Sequence, residues 1–488
     1  MRTPAVMTSP DDVIELSVET PPGQLIRYNF EELVSALGVE DDPARVAVET
    51  NGFRQGLVTI YPRNPLAEIR AVTREDLVMD RHGRITSGLY HNGRPAKKRL
   101  YDPSTGSAQR FLLFGTTGAG KSKSLQIELI AEKLNGIVSW VADLKFGQSV
   151  PEADGNVDWF ARTPEAAILM LMAAVAVAQE RMRRYSAAGR TAFLLVPGGD
   201  PLIHVRIEEA NRLLERGAPY RDLGTYLIRE LGRTGRSVGV GIGLSAQASH
   251  LEEMGGSDTL RAMLKEGEVT LLRWSSNMMK QLVTDGLVPV GEQLMPIGKS
   301  FQTRQLRSQF DAHTDDDEDA AGTQGMAYLL SGPRPTGLMR HFRVGSIAPL
   351  PGLDPEILAL YGPGEPARLE AASHSAAGEA YDARHDPVAL AELFQALQAE
   401  QEQQAKQGKT TAGGEADRPG QGAARLEDRV RAVVADADEP LSADDILTIV
   451  NADGGREVKL GSVRAILTAL VRGGEAVRTA HGLYGSAQ

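Results

Sequence analysis

Between residues 105 and 350 short unbroken apolar runs alternate with stretches whose apolar residues recur every three or four positions. The first kind reads as buried strands and the second as helices. Their alternation predicts an α/β sheet with crossover helices. Strands are expected at Arg110–Phe114, Gly136–Asp143, Leu202–Glu209 and Ser237–Leu244. Leu125, Leu129 and the run Ala131–Leu134 predict a helix after the first strand, and Pro164–Tyr185 predicts a long one that turns basic at its end.

The flanks carry other patterns. Residues 1–104 read as a small β-rich adapter domain: a strand at Val13–Val18, a short helix near Glu31–Leu37, and a hairpin of Arg45–Glu49 with Gly56–Tyr61 around an Asn-Gly turn. Residues 351–422 lose the alternation. A polar segment at Val388–Gln407 suits a helix, and Gly408–Gly422 reads as a flexible linker. Residues 423–488 predict helices near Leu426–Val434, after a capping Ser442 with Ile446, Leu447 and Val450 apolar, and over Leu460–Val471 with Val463, Ile466, Leu467 and Leu470 inward. Ala476–Arg478 and Leu483–Tyr484 then flank a turn, so three helices precede a hairpin, the order of a winged-helix domain.

Composition narrows the setting. The 488 residues suggest about three domains. There is no cysteine, hence no disulfide or thiolate metal site, and a cytoplasmic location is expected. The longest apolar run, Ala166–Ala178, is shorter than the roughly 20 residues a spanning helix needs, so membrane contact is expected only through partner proteins. The net charge of −11 does not advertise nucleic-acid binding, but the clustering of positive charge decides that question. The acidic run Asp315–Asp319 reads as a solvated loop.

The chemistry centres on Gly115-Thr116-Thr117-Gly118-Ala119-Gly120-Lys121-Ser122. Two glycines frame a loop that ends in Lys-Ser, between a strand and a helix, which is the phosphate-loop pattern for a nucleoside triphosphate. Such a loop turns backbone N–H groups toward phosphates at a helix N-terminus. Lys121 is placed for the β- and γ-phosphates, and the Ser122 hydroxyl for Mg²⁺. Glu208 and Glu209 end a later strand, where one carboxylate can hold the metal and its neighbour orient the attacking water. We assign Glu208 to the first task and Glu209 to the second. An acidic start to the next helix is the bland alternative. Gln247 ends a further strand, as a γ-phosphate sensor or an ordinary polar terminus. Arg229, Arg233 and Arg236 either supply a cation to a neighbouring subunit's site or form a solvated face. In the tail, Arg456, Lys459, Arg464, Arg472 and Arg478 outnumber Glu457 and Glu475. This bias favours DNA phosphates over a protein partner, with Arg464 facing outward toward a base edge.

Over Gly88–Val344 these residues resemble the FtsK/SpoIIIE family of hexameric double-stranded DNA translocases. The matching pieces are Gly93-Arg94-Pro95, the phosphate loop, Asp143-Leu144-Lys145, Glu180–Tyr185, Glu208-Glu209, Gly232-Arg233-Thr234-Gly235, Ser245-Ala246-Gln247 and Tyr328–Gly332. The resemblance implies a RecA-like ATPase motor over 105–350, ATP and Mg²⁺ at subunit interfaces, Arg233 offered across them, and duplex DNA in a ring's central channel. Glu208 stands where the family usually has Asp, and Ala248-Ser249 where it usually has Arg-Pro. The compact size resembles the actinobacterial (Streptomyces-type) branch that moves plasmid or integrative-element DNA in conjugal transfer. A chromosome-segregation pump of the same family and an ATP-switched DNA-binding regulator are the alternatives.

Overall fold

The computed structural model describes residues 12–247, 255–274, 286–288, 294–299, 322–411, 426–435, 437, 440–452, 460–472, 476–480 and 483–486. They fall into two compact units, residues 1–399 and 400–488.

The first unit opens with β1 (Ile14–Glu19), α1 (Phe30–Leu37), β2 (Val46–Thr50) and β3 (Gln55–Ile60). The three strands form a sheet in the order β1-β3-β2 over a small core of Val34, Val39, Val46, Val58 and Ile60. Asn29 caps α1, its side chain accepting from Glu31 N, and the helix stops at Gly38 in the left-handed conformation. At the hairpin, Asn51 Oδ1 accepts from both Phe53 N and Gln55 N.

The remaining strands of this unit are β4 (Arg84–Tyr90), β5 (Pro95–Arg99), the short pair β6 (Tyr101–Asp102) and β7 (Ser107–Ala108), then β8 (Arg110–Gly115), β9 (Val138–Asp143), β10 (Trp159–Ala161), β11 (Ile203–Glu208), β12 (Val240–Ala246), β13 (Glu268–Leu272), β14 (Met326–Leu329) and β15 (Met339–His341). Ten of them make one sheet in the order β10-β9-β11-β12-β8-β13-β14-β15-β4-β5. The six from β10 to β13 run parallel, and the last four continue antiparallel. Helices α2 (Lys121–Leu134), α3 (Pro164–Ala187), α4 (Asn211–Leu214), α5 (Arg221–Thr234) and α6 (Asp258–Lys265) connect the parallel strands. Every residue of β8, β9 and β11 is buried, as expected of strands covered on both faces.

The structure departs from the sequence reading in two places. The sheet crosses the boundary expected at 104, because β4 and β5 pair onto β15 beyond it. Gly88 permits this approach: a Cβ there would lie 2.1 Å from Arg340 O. Residues 351–399 are also more ordered than their Pro- and Gly-rich start suggests. They form helices at Pro355–Tyr361, Ala371–Ala377 and Glu379–Asp382, and the first part of Pro387–Thr411. Tyr361, Tyr381 and Phe394 enter the main core. The first three are too short for periodicity to reveal them, whereas the fourth overlaps the helix expected at Val388–Gln407. Gln126 of α2 donates to Tyr361 Oη at 3.2 Å, and α3 holds the second and third. Arg181, fully buried on α3, donates to Glu370 Oε2 at 2.8 Å and to Ser373 Oγ at 3.0 Å.

The second unit contains helices Leu426–Ala435, Ala443–Ala452 and Leu460–Arg472, and a sheet of β16 (Leu441–Ser442), β17 (Ala476–Ala480) and β18 (Leu483–Ser486) in the order β16-β18-β17. Val430, Ile446, Val463 and Leu467 fill its core. Ser442 Oγ accepts from Asp445 N at 3.2 Å, the helix cap expected from the sequence. Among the described residues no helix is long and apolar enough to cross a membrane.

Candidate functional site

Parallel pairing brings the C-terminal ends of β8, β9, β11 and β12 to one edge of the sheet. Glu208 lies in register with Asp143, and β12 separates β11 from β8. The phosphate loop leaves β8 at that edge and feeds α2, so backbone donors and a helix N-terminus meet the strand ends there. Two features hold the loop. Gly115 has no room for a side chain, since a Cβ would sit 2.2 Å from Leu272 O. Gly118 and Gly120 both take positive φ.

Lys121 folds back and donates from Nζ to Gly115 O at 3.0 Å. Burial pushes its pKa down, against the upward pull of Glu208 and Glu209. Ser122 Oγ donates to Glu208 Oε1 at 2.8 Å. Glu208 is fully buried, its Oε2 has no hydrogen-bond partner, and burial raises its pKa. A buried acceptor in that state is costly unless something positive fills its other side. The pair therefore fits Mg²⁺, which takes hard oxygen ligands and keeps several waters. Among the described residues no group of three or more His, Asp or Glu could hold a metal without further ligands. Ser122 and Glu208 would hold Mg²⁺ together with phosphate and water oxygens. When bound, the ion draws charge from phosphate oxygens.

Glu209 follows the end of β11 with φ 53°, a strained conformation for a residue other than glycine. Its Oε1 accepts from Lys145 Nζ at 2.6 Å and its Oε2 from Gln247 Nε2 at 3.4 Å. Asp143 shapes the loop that carries Lys145, accepting from the backbone N–H groups of Lys145, Ser149 and Val150.

The structure thus gathers Gly115–Ser122, Glu208, Glu209 and Gln247 at one edge. It does not bring Arg233 there. Arg233 is exposed near the end of α5, where the chain enters β12 at the end opposite Gln247. Two neighbouring groups received no role from the sequence. Lys145 was visible only as part of a match to the family. Arg273, just past β13, accepts at its carbonyl from Thr116 N at 3.2 Å, and its Nη1 lies 3.8 Å from the position a Cβ on Gly118 would take. Burial lowers its pKa. No local pattern signals Arg273, because only the pairing of β13 with β8 carries it to the loop.

In the second unit, Arg464 is exposed with Nη2 3.7 Å from Asp444 Oδ2, and Arg478 is exposed on β17. Arg472 ends the third helix of that unit. Lys459 lies outside the described residues, as do Arg456, Ala248-Ser249 and the acidic run at 315–319.

No family model matches the chain, and no curated protein does. Among solved structures it is similar to the pCW3 conjugation coupling protein TcpA, a monomer with ATPγS, at 16% identity and TM-score 0.39 over 54% of this chain and 74% of that one. It is also similar to the cytoplasmic domain of the type VII secretion ATPase EccC of Thermomonospora curvata, at 18% identity and TM-score 0.41, covering 61% of this chain and 34% of that one. A third is EssC (ATPases 2 and 3) of Geobacillus thermodenitrificans, at 12% identity and TM-score 0.38, covering 67% and 52%.

Proposed function

We propose that the protein is an ATP-driven translocase of double-stranded DNA with a RecA-like motor of the FtsK/SpoIIIE type. It works as a homo-hexamer and moves plasmid or integrative-element DNA in conjugal transfer. The observation that carries this reading is the contact between Ser122 and Glu208, 2.8 Å apart, directly behind a phosphate loop. A hydroxyl and a buried carboxylate with one unpartnered oxygen meet at the place where the two would hold Mg²⁺ beside a bound triphosphate.

Each residue then has a task. Loop N–H groups and Lys121 bind the β- and γ-phosphates. Ser122 and Glu208 hold the metal. Glu209 orients the attacking water, and Gln247 senses the γ-phosphate. Arg233, remote from its own chain's site, serves the neighbouring subunit's ATP. Residues 423–488 are a winged-helix domain whose Lys459, Arg464, Arg472 and Arg478 meet DNA phosphates. The motor is cytoplasmic and reaches the membrane through partner proteins.

Blunt duplex DNA should stimulate ATP hydrolysis, and the protein should strip the third strand from a triplex only when ATP is hydrolysed. Stimulation by single strands alone would assign it to single-strand transfer instead. Binding without strand displacement would point to an ATP-switched regulator. A monomer that hydrolyses ATP and ignores duplex would end the proposal.

A further inference from the structure

Glu209, the carboxylate assigned to the attacking water, has a donor on each of its oxygens. Lys145 occupies Oε1 at 2.6 Å and Gln247 occupies Oε2 at 3.4 Å. The two contacts are unequal. The first is short and charge-assisted, and the second is at the outer limit of a hydrogen bond. Each oxygen keeps a further acceptor site, but a carboxylate paired with an ammonium is a weaker base toward a bound water, and the ammonium holds harder than the amide.

The surroundings show that Lys145 is placed for this contact. Register sets Asp143 beside Glu208 on adjacent parallel strands, so the residues just past each strand end are neighbours. Asp143, fully buried, ties down the loop through three backbone N–H groups, and Phe146 and Gly147 then take positive φ. The ion pair itself straddles the surface: the Lys145 side chain is 36% exposed and that of Glu209 is 5% exposed. The ammonium can swing into solvent while the carboxylate stays. Lys121 lies close enough to Lys145 for the two charges to oppose each other. This leaves Lys145 a second cation at the mouth of the phosphate site.

We propose that Lys145 is a positioning residue whose ion pair with Glu209 weakens that carboxylate as a base in the resting site, so that fast hydrolysis requires the pair to open. The inference rests on the nucleotide-site reading above. It adds that the barrier to basal turnover includes release of Lys145, and that duplex DNA accelerates the motor by favouring that release.

Turnover at saturating ATP and Mg²⁺ should be compared in the full chain and in the variants Lys145→Met and Lys145→Arg. Lys145→Met should raise DNA-free kcat roughly two- to fivefold, the factor a partly exposed ion pair represents. It should leave the DNA-stimulated rate unchanged, so the stimulation ratio falls. Lys145→Arg should restore the wild-type ratio. A purely structural role would lower both rates together and leave the ratio alone. A fall in DNA-free kcat, or an unchanged ratio, would overturn the proposal. A second measurement does not depend on activity. Thermal midpoints of Lys145→Met, Glu209→Gln and the double variant should be non-additive, and additive midpoints would remove the ion pair on which the proposal stands. Failure of the wild-type chain to hydrolyse ATP would reject the nucleotide reading, and the midpoint cycle would still decide the pair.

Discussion

Arg206 of β11 places its Nε 2.9 Å from Glu132 Oε1 of α2, and both side chains are sealed from solvent. Strand alternation puts His204, Arg206 and Glu208 on the face that meets α2. His204 Nδ1 also contacts Glu132 at 2.8 Å, Arg206 Nη2 lies 3.1 Å from Glu128 Oε2, and Lys98 of β5 pairs with Glu128. The phosphate-loop helix is thus locked to the carboxylate strand by a buried ladder ending at Ser122 and Glu208. Two cations face two anions, and the Arg206 guanidinium stacks 3.4 Å from the Phe111 ring centroid. Arg206→Met would leave Glu132 without a guanidinium and should cost about 3–5 kcal/mol in urea unfolding. Adding Glu132→Gln restores the charge balance and should recover part of that loss. Equal stability of single and double variants would refute the ladder's role.

Acid should lower the stability of the first unit over two pH ranges. Burial, with Lys98 nearby, lowers the pKa of His341 to about 4 from its ordinary 6.5. The unfolded chain therefore binds this proton first, and stability falls as pH drops from about 6.5 to about 4, by roughly 3 kcal/mol in full. Burial alone would raise Glu132, but Arg206 and His204 hold it down to about 2 against an ordinary 4.5. Its contribution is complete above about 4.5 and is lost as pH falls toward 2. Denaturant midpoints measured from pH 7.5 to 3 should show both slopes, and His341→Gln should flatten the first.

Metal dependence tests the site directly. Ser122→Ala should raise the Mg²⁺ concentration for half-maximal hydrolysis at least about tenfold. Lys121→Ala should abolish turnover. Wild-type Mg²⁺ dependence in Ser122→Ala would remove the hydroxyl from the metal's ligands.

Limited proteolysis should map the order of residues 351–399. Because Arg181 anchors Glu370, and Tyr361 and Tyr381 are 1% exposed, residues 355–382 should resist early cleavage. Early cleavage between Pro355 and Asp382 would contradict that packing.

The tail arginines should act on binding and not on the site. Arg464→Ala and Arg478→Ala should each weaken duplex binding and reduce the salt dependence by about one phosphate contact. DNA-free hydrolysis should stay at the wild-type rate, and unchanged affinity in both variants would take the tail out of the interface.

The sequence by itself determined whatever is local. Apolar periodicity located β8, β9, β11, α2 and α3 to within a few residues, and the glycine spacing before Lys121-Ser122 marked the loop, because each depends on neighbours a few positions away. The Glu208-Glu209 pair was legible as an acidic strand end. Tertiary structure decided which of the two meets Ser122 and which meets Lys145, since that follows from strand register and the turn at Glu209. It also brought Arg273 beside the loop, sealed Arg206 against Glu132, and drew β4, β5 and the helices after residue 354 onto the core. Those outcomes join residues tens to hundreds of positions apart, and their energy comes from burial and charge pairing between partners that no local pattern names.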